Sequence, residues 1–201
     1  MPIAASVLVV AATARELASG PWRGLVCGVG PVDAAAATAA EIARERPIAV
    51  LHVGIAGARR RSALAPGALV IGTEARYFDL GVSAEWAPSV VAASAVLLGA
   101  ARIALPSAPA MPIGTSARVG GTSATDSNIN AGVNVEAMEG FAVLRAAALA
   151  GIPAIEIRAI SNEIEESDRG LWKFDTACAA ITNATPLLVS EIERAVRATH
   201  A

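Results

Sequence analysis

The stretch Ile48-Ala49-Val50-Leu51-His52-Val53-Gly54-Ile55-Ala56-Gly57 decides how the rest of the chain is read. Residues 48–53 are a short apolar run, rich in β-branched side chains and closed by glycine, which suits a strand buried on both faces. Pro47 stands before it and ends an alanine-rich helix over 34–46, whose entry is marked by Pro31. Gly54-Ile55-Ala56-Gly57 then reads as a glycine turn at the carboxyl end of the strand. Outward from this centre the same alternation repeats. Strands are predicted at 7–11, 22–27, 68–77, 113–120 and 155–160, with a short helix after Thr13 and longer ones over 89–104, 135–150 and 175–198. Residues 122–134, rich in Thr, Ser, Asn and Gly, read as the longest polar loop. No repeat or linker breaks this order. The expectation is a single α/β domain over 1–201, with helices flanking a largely parallel or mixed central sheet.

A chain of 201 residues can bury a core without disulfide or metal staples. The apolar fraction is 54% and mean hydropathy +0.53, yet aromatics are only 3%, and alanine supplies much of the hydropathy. The uncharged run 86–101 carries Pro88, two serines and a glycine, and about 20 strongly apolar residues are needed to cross a bilayer, so no membrane partner is expected. No basic residue precedes the first apolar stretch, so neither is a signal peptide, which points to the cytoplasm. The net charge is −2, and every basic residue but Lys173 is arginine. Only Arg59-Arg60-Arg61 clusters, and it reads as a solvated loop, so nucleic acid is not an expected partner either. Cys27, Cys178, His52 and His200 are too few to build a zinc site by themselves, and the cysteines read as reduced, buried thiols.

Ligands of open α/β sheets bind beyond the carboxyl ends of the strands. Glu16, Gly54 to Gly57, Met138-Glu139 and Ser161-Asn162 all stand at such ends or beside them. Gly28-Val29-Gly30 lies between a strand and a helix, as in a dinucleotide fingerprint, but the third small residue is replaced by Asp33, whose charge would repel pyrophosphate. A G-x-x-x-x-G-K-S/T loop and a G-x-S-x-G elbow are both missing from the sequence, which removes the P-loop and α/β-hydrolase readings.

Val135-Glu136-Ala137-Met138-Glu139-Gly140, followed by Arg158-Ala159-Ile160-Ser161-Asn162, narrows the choice. The pair resembles the purine nucleoside phosphorylase and nucleosidase superfamily, where V-E-x-E precedes a helix and R-x-I/V-S-D/N ends a strand. Val53 to Gly57 and Glu74-Ala75-Arg76-Tyr77-Phe78-Asp79 fall in the same order as that superfamily's landmarks, so the resemblance covers most of the chain. The E-A-M-E-G form with Asn after Ser is most similar to the futalosine hydrolases. The resemblance implies hydrolysis of the N-ribosidic bond of futalosine, releasing hypoxanthine and dehypoxanthine futalosine in menaquinone biosynthesis, with no metal or organic cofactor.

The residue types fit that chemistry. Cleaving an N-ribosidic bond passes through a state with positive charge on the sugar and electrons moving to the base. By the resemblance Glu139 holds the ribose hydroxyls and stabilises the developing charge. Met138 packs on the ribose face, with Glu136 beside them. Glu16 occupies the place of a water-activating carboxylate, and a carboxylate there repels phosphate, which favours hydrolysis over phosphorolysis. An amide at Asn162 can donate to a 6-oxo group and accept from N7–H, so hypoxanthine fits it and adenine fits it poorly. Ala56, Gly57 and Ser161 complete the expected sugar and base contacts. Thr122, Ser123 and Ala124 border the base, and Trp172 and Phe174 stack on it. Arg15, Arg76 and Arg118 are candidates for the substrate's carboxylate.

Residues 82–86 match a segment that related nucleosidases lend to a neighbouring subunit, implying a homo-oligomer, most simply a dimer. Taken without the resemblance, each residue keeps a plainer reading. Glu139 is then a solvated first-turn acid, Glu16 an exposed helix residue, Asn162 a turn former, and Trp172 and Phe174 core aromatics. The rival activities are a methylthioadenosine or S-adenosylhomocysteine nucleosidase, and a nucleoside-binding module without catalysis.

Overall fold

A computed structural model describes residues 6–119 and 132–199. Its central strand, β3 (Ala49–Ala58), pairs in parallel with β1 (Val7–Ala11) on one side and β8 (Ala154–Glu163) on the other. β1 carries the edge strand β2 (Arg23–Val26), also parallel. β8 pairs antiparallel with β4 (Leu69–Tyr77), which pairs in parallel with β6 (Ala110–Thr115) and antiparallel with β5 (Val90–Ala92). β6 then pairs with β7 (Val135–Ala137), and β7 returns to the end of β3 through Gly57 and Ala58. Strands β3, β8, β4, β6 and β7 therefore close a ring, and β1 and β2 extend from it as a parallel wing. The sheet is mixed, as expected.

Strict alternation along β1 assigns its faces. Val7, Val9 and Ala11 pack with Leu51, Val53 and Ile157 beneath the helices α2 (Ala95–Ala104) and α4 (Phe174–Ala198). Leu8 and Val10 pack with Val50 on the other face, beneath α1 (Pro31–Arg44) and α3 (Gly140–Leu149). A third cluster, with Val70, Ile113, Val135 and Ile160, fills the ring. Small helix residues such as Ala34, Ala101, Ala147 and Ala177 are fully buried and let the helices lie close on the sheet. The high hydropathy is this packing: among the described residues no helix is long and apolar enough to cross a membrane.

Several boundaries differ from the sequence expectations. Gly54 to Gly57 is not a turn but the continuation of β3, held by β8 on one side and by β7 at its end. No helix follows Thr13; a turn closes there through the Glu16 amide and the Thr13 carbonyl at 3.2 Å. The segments read as helices over 89–104 and 135–150 each begin with a strand, β5 and β7, before α2 and α3 start. In both, alanine favours helix, but pairing with β4, β6 and β3 overrides it. β6 ends at Thr115, short of the expected 120, and the polar loop lies largely outside the described residues. Cys27 is buried as expected, whereas Cys178 is only partly covered.

Candidate active site

The site grows from polar residues that two apolar strands carry inward. His52 on β3 and Glu156 and Arg158 on β8 are completely buried, and the parallel register sets His52 opposite Glu156 and Gly54 opposite Arg158. The Arg158 guanidinium donates from Nε to Glu156 Oε1 at 2.7 Å and from Nη2 towards His52 Nε2 at 2.5 Å. The other imidazole nitrogen, Nδ1, lies 3.0 Å from the Val10 carbonyl, which can only accept. His52 is therefore neutral with its proton on Nδ1. Burial, reinforced by the charge of Arg158, holds its pKa well below the ordinary histidine range. Burial also raises Glu156, against the pull of Arg158. For Arg158 burial works to lower the pKa, but Glu156 and Glu139 outweigh it and the group stays charged.

Two glycines make room for this cluster. A Cβ on Gly54 would lie 2.1 Å from Arg158 Nη1 and 2.9 Å from Glu16 Oε1. A Cβ on Gly140, the first residue of α3, would lie 2.1 Å from Glu156 Oε2. Both distances are far inside van der Waals contact, so the side chains and the glycines require one another.

Glu139 precedes α3 and is almost fully buried, which rules out a solvated first-turn acid. Its Oε1 accepts the Gly30 amide proton at 3.0 Å, and its Oε2 stands 3.5 Å from Arg158 Nη2. Gly30, at a positive φ of 91°, thus offers its amide to a protein carboxylate rather than to a dinucleotide. Glu16 is likewise buried, not an exposed helix residue. Its Oε2 accepts from the Thr13 amide and hydroxyl at 3.0 and 2.6 Å, and its Oε1 from the Ile55 amide at 3.0 Å.

At the far end of β8 the ladder slips by one residue. Ala56 pairs with Ile160 but Gly57 with Asn162, so Ser161 is bulged and the strand re-aims the residues after it. Asn162 Nδ2 donates to the Glu163 carbonyl at 2.9 Å, and the Ser161 hydroxyl lies 2.7 Å from Asn162 Oδ1 and 3.1 Å from the Ala56 carbonyl. Because the Glu163 carbonyl can only accept, the orientation of the amide is fixed. One Nδ2 proton and one Oδ1 lone pair remain for a ligand.

These groups converge on a pocket of about 300 Å³. Glu16, Ala56, Gly57, Glu136, Met138, Glu139, Ser161, Asn162, Trp172 and Phe174, among the expected contacts, line it. Trp172 and Phe174 are half-buried wall residues rather than core, tilted against each other with centroids 5.5 Å apart. Thr122, Ser123 and Ala124 lie outside the described residues. Of the three arginines considered for a carboxylate, Arg15 is ion-paired with Asp175 and Arg76 with Glu74, whereas Arg118 lines the pocket. Sequence reasoning overlooked His52, Glu156 and Arg169. The first two stand out as polar residues in apolar strands; Glu156 shares the Arg158 face by strand alternation, but His52 reaches it only through the register of β3 against β8. Arg169 lines the pocket with its guanidinium 5.9 Å from the Trp172 ring centroid. Among the described residues, no group of three or more His, Cys, Asp or Glu side chains is placed to hold a metal ion.

Comparison with known proteins places the chain in a family. Residues 16–197 match the phosphorylase superfamily. The chain is 36% identical to a futalosine hydrolase of Streptomyces coelicolor over 90% of its own length and 83% of the relative's. It is 31% identical to a futalosine hydrolase of Thermus thermophilus, covering 85% of each chain. Among solved structures it superposes with a TM-score of 0.80 on the Neisseria meningitidis 5′-methylthioadenosine/S-adenosylhomocysteine nucleosidase in complex with methylthio-immucillin-A, at 23% identity and covering 92% of this chain and 98% of that one. The Helicobacter pylori futalosine hydrolase gives the same TM-score at 15% identity, covering 93% and 98%. At such identities the structural matches establish the fold alone, but the sequence matches go further: the chain belongs to the phosphorylase superfamily.

Proposed function

We propose that this chain hydrolyses the N-ribosidic bond of futalosine, releasing hypoxanthine and leaving dehypoxanthine futalosine, as a step of menaquinone biosynthesis. It is a nucleosidase, an N-glycosyl hydrolase. The observation that carries the choice of base is the Asn162 amide. With one Nδ2 proton spent on Glu163 and Oδ1 already facing Ser161, the free proton meets the 6-oxo group and the free lone pair meets N7–H of departing hypoxanthine. A 6-amino group would set donor against donor there, at about 1–3 kcal/mol for the unpaired buried group.

Glu139 accepts hydrogen bonds from the ribose hydroxyls, since the Gly30 amide occupies only one side of its carboxylate. Met138 packs on the sugar, and Glu136, on the neighbouring strand, adds negative charge to the same wall. As the bond to the base lengthens, positive charge grows on the ribose and is stabilised by these fixed, water-shielded carboxylates. Glu16 holds the attacking water and takes its proton, its direction set by the Thr13 and Ile55 donors. Ala56, Gly57 and Ser161 shape the floor, and Trp172 and Phe174 offer flat apolar surface to the purine. Arg118 and Arg169 are the pocket cations we assign to the substrate's carboxylate.

Residues 1–201 act as one nucleosidase domain in this reading, working in the cytoplasm as a homodimer. The dimer contact is the segment 82–86, where Trp86 is 84% exposed. Parallel assays with futalosine and methylthioadenosine test the assignment. Hypoxanthine release from the first with little adenine from the second supports it. The reverse preference makes the chain a methylthioadenosine nucleosidase, and binding without release of either base makes it a binding module.

A further inference from the structure

His52 has no place in the chemistry just described, yet it is fully buried in the middle of β3 and makes the shortest contact to Arg158. The guanidinium has three side-chain acceptors beside it, Glu156 on Nε, His52 on Nη2, and Glu139 on the same Nη2 but a full ångström further away, at 3.5 Å against 2.5 Å, while Nη1 faces the Ile55 carbonyl at 3.5 Å. Glu139 is thus the weakest-bound of the three. The Val10 carbonyl is the reason His52 can compete, because it fixes the proton on Nδ1 and leaves Nε2 bare as an acceptor. A neutral acceptor satisfies the guanidinium N–H without neutralising its charge. The charged alternative, Glu139, would form a tight ion pair with Arg158 in this dry interior and lose the lone pairs that a ligand needs.

We infer that His52 is a positioning residue that draws Arg158 away from Glu139, and so keeps the Glu139 carboxylate open towards the sugar. The inference rests on Glu139 being the ribose contact and concerns how that contact is kept available. Other groups around the imidazole and the guanidinium are accounted for: Glu156 is engaged by Arg158 Nε, Glu16 by Thr13 and Ile55, and Cys27 stays a neutral thiol. Deleting the imidazole leaves Arg158 Nη2 with Glu139 as its remaining acceptor, so the pair closes at the expense of the ribose.

The test uses His52→Leu and His52→Gln, with protein that retains His52 alongside. Binding is measured by calorimetry for free hypoxanthine and for inosine, which adds only the ribose, with the His52 variants and their reference all carrying Glu16→Gln so that inosine is not cleaved during the titration. The inference predicts that His52→Leu weakens inosine at least tenfold while hypoxanthine binding stays within twofold, and that His52→Gln, whose amide oxygen can accept from Arg158, recovers most of the loss. Equal losses for both ligands would mean that His52 serves only the scaffold and would overturn it, as would no loss for either. Should His52→Leu fail to fold, nitrogen NMR of the wild-type imidazole decides. A neutral ring protonated on Nδ1 between pH 5 and 9 is required, and a proton on Nε2 or a charged ring contradicts the inference. If wild-type protein binds inosine but never cleaves futalosine, the proposed activity fails while this inference stands.

Discussion

The Glu16 carboxylate accepts the Ile55 amide proton at 3.0 Å, one residue beyond Gly54, whose missing side chain leaves the space that Glu16 and Arg158 occupy. This contact joins the turn after β1 to β3 and sets a carboxylate at the pocket wall with its oxygens already oriented. The glycine, the carboxylate and the guanidinium form one packing unit, so each can be tested through the others.

Gly54→Ala should destabilise the protein and disable it together. The new methyl would stand 2.1 Å from Arg158 Nη1, and β3 is held against β8 at this point by the Gly54–Arg158 pairing. Overpacking of a tight core costs about 1–3 kcal/mol, and for a chain of this size each kcal/mol lowers Tm by roughly 2–4 °C. Calorimetric melting should show a fall of several degrees, with nucleosidase activity lost in the protein that remains folded at 25 °C.

Glu16→Gln should fold normally, since the amide oxygen can keep one of the bonds from Thr13 or Ile55. It cannot take a proton from water. General-base removal typically costs about 10²–10⁴-fold, so kcat should fall by at least a hundredfold with KM changed little. Hypoxanthine release followed by chromatography reads this directly, and wild-type kcat in the variant would remove Glu16 from the chemistry.

Asn162→Asp should exchange the base preference. An aspartate can accept from a 6-amino group, and where protonated donate to N7, whereas it loses the amide donor for the 6-oxo group. Activity on 6-oxopurine nucleosides should drop about tenfold or more, and the ratio of kcat/KM for adenosine over inosine should rise, in line with one unpaired buried polar group. An unchanged ratio would assign base selection elsewhere in the pocket.

Cys27 gives an alkaline signature. Burial, with a contribution from Glu139, pushes its thiol up to about 12 from the ordinary 9.0. Between those values the unfolded chain releases its proton while the folded protein keeps it, so stability falls as pH rises, by up to about 1.4 kcal/mol per pH unit. Cys27→Ala should flatten the loss of Tm above pH 9. In the folded wild type, iodoacetamide at pH 8 should leave Cys27 unlabelled.

Much of this molecule was legible in its sequence, and the failures have physical causes. β1 is legible to the residue because its apolar run admits no competing pattern, and the last helix, expected from 175, starts one residue earlier and ends at Ala198 as expected. The three residues of β7 read as part of the helix that follows because Val-Glu-Ala has no signal of its own; its strand state comes from backbone pairing with β3 and β6. Gly54 to Gly57 looked like a turn because glycine usually marks one, but here it marks close approach by Arg158 and Asn162. Glu16, Met138, Glu139, Ser161 and Asn162 are legible because they stand at or beside strand ends, the last four in recognisable motifs, whereas Arg169, which also lines the pocket, stands in no such motif. His52 is not legible in this way, because its meeting with Arg158 depends on the register of β3 against β8, whereas Glu156 shares the Arg158 face by strand alternation alone.

The central claim is that water, not phosphate, attacks the ribose of a 6-oxopurine nucleoside. It is tested most directly by incubating the protein with futalosine in phosphate-free buffer made with ¹⁸O-water and analysing the products by mass spectrometry. The account predicts stoichiometric hypoxanthine, one ¹⁸O at the anomeric carbon of the sugar product, and a rate that added phosphate does not raise. Hypoxanthine that forms only when phosphate is supplied, with a sugar 1-phosphate as co-product, would contradict it.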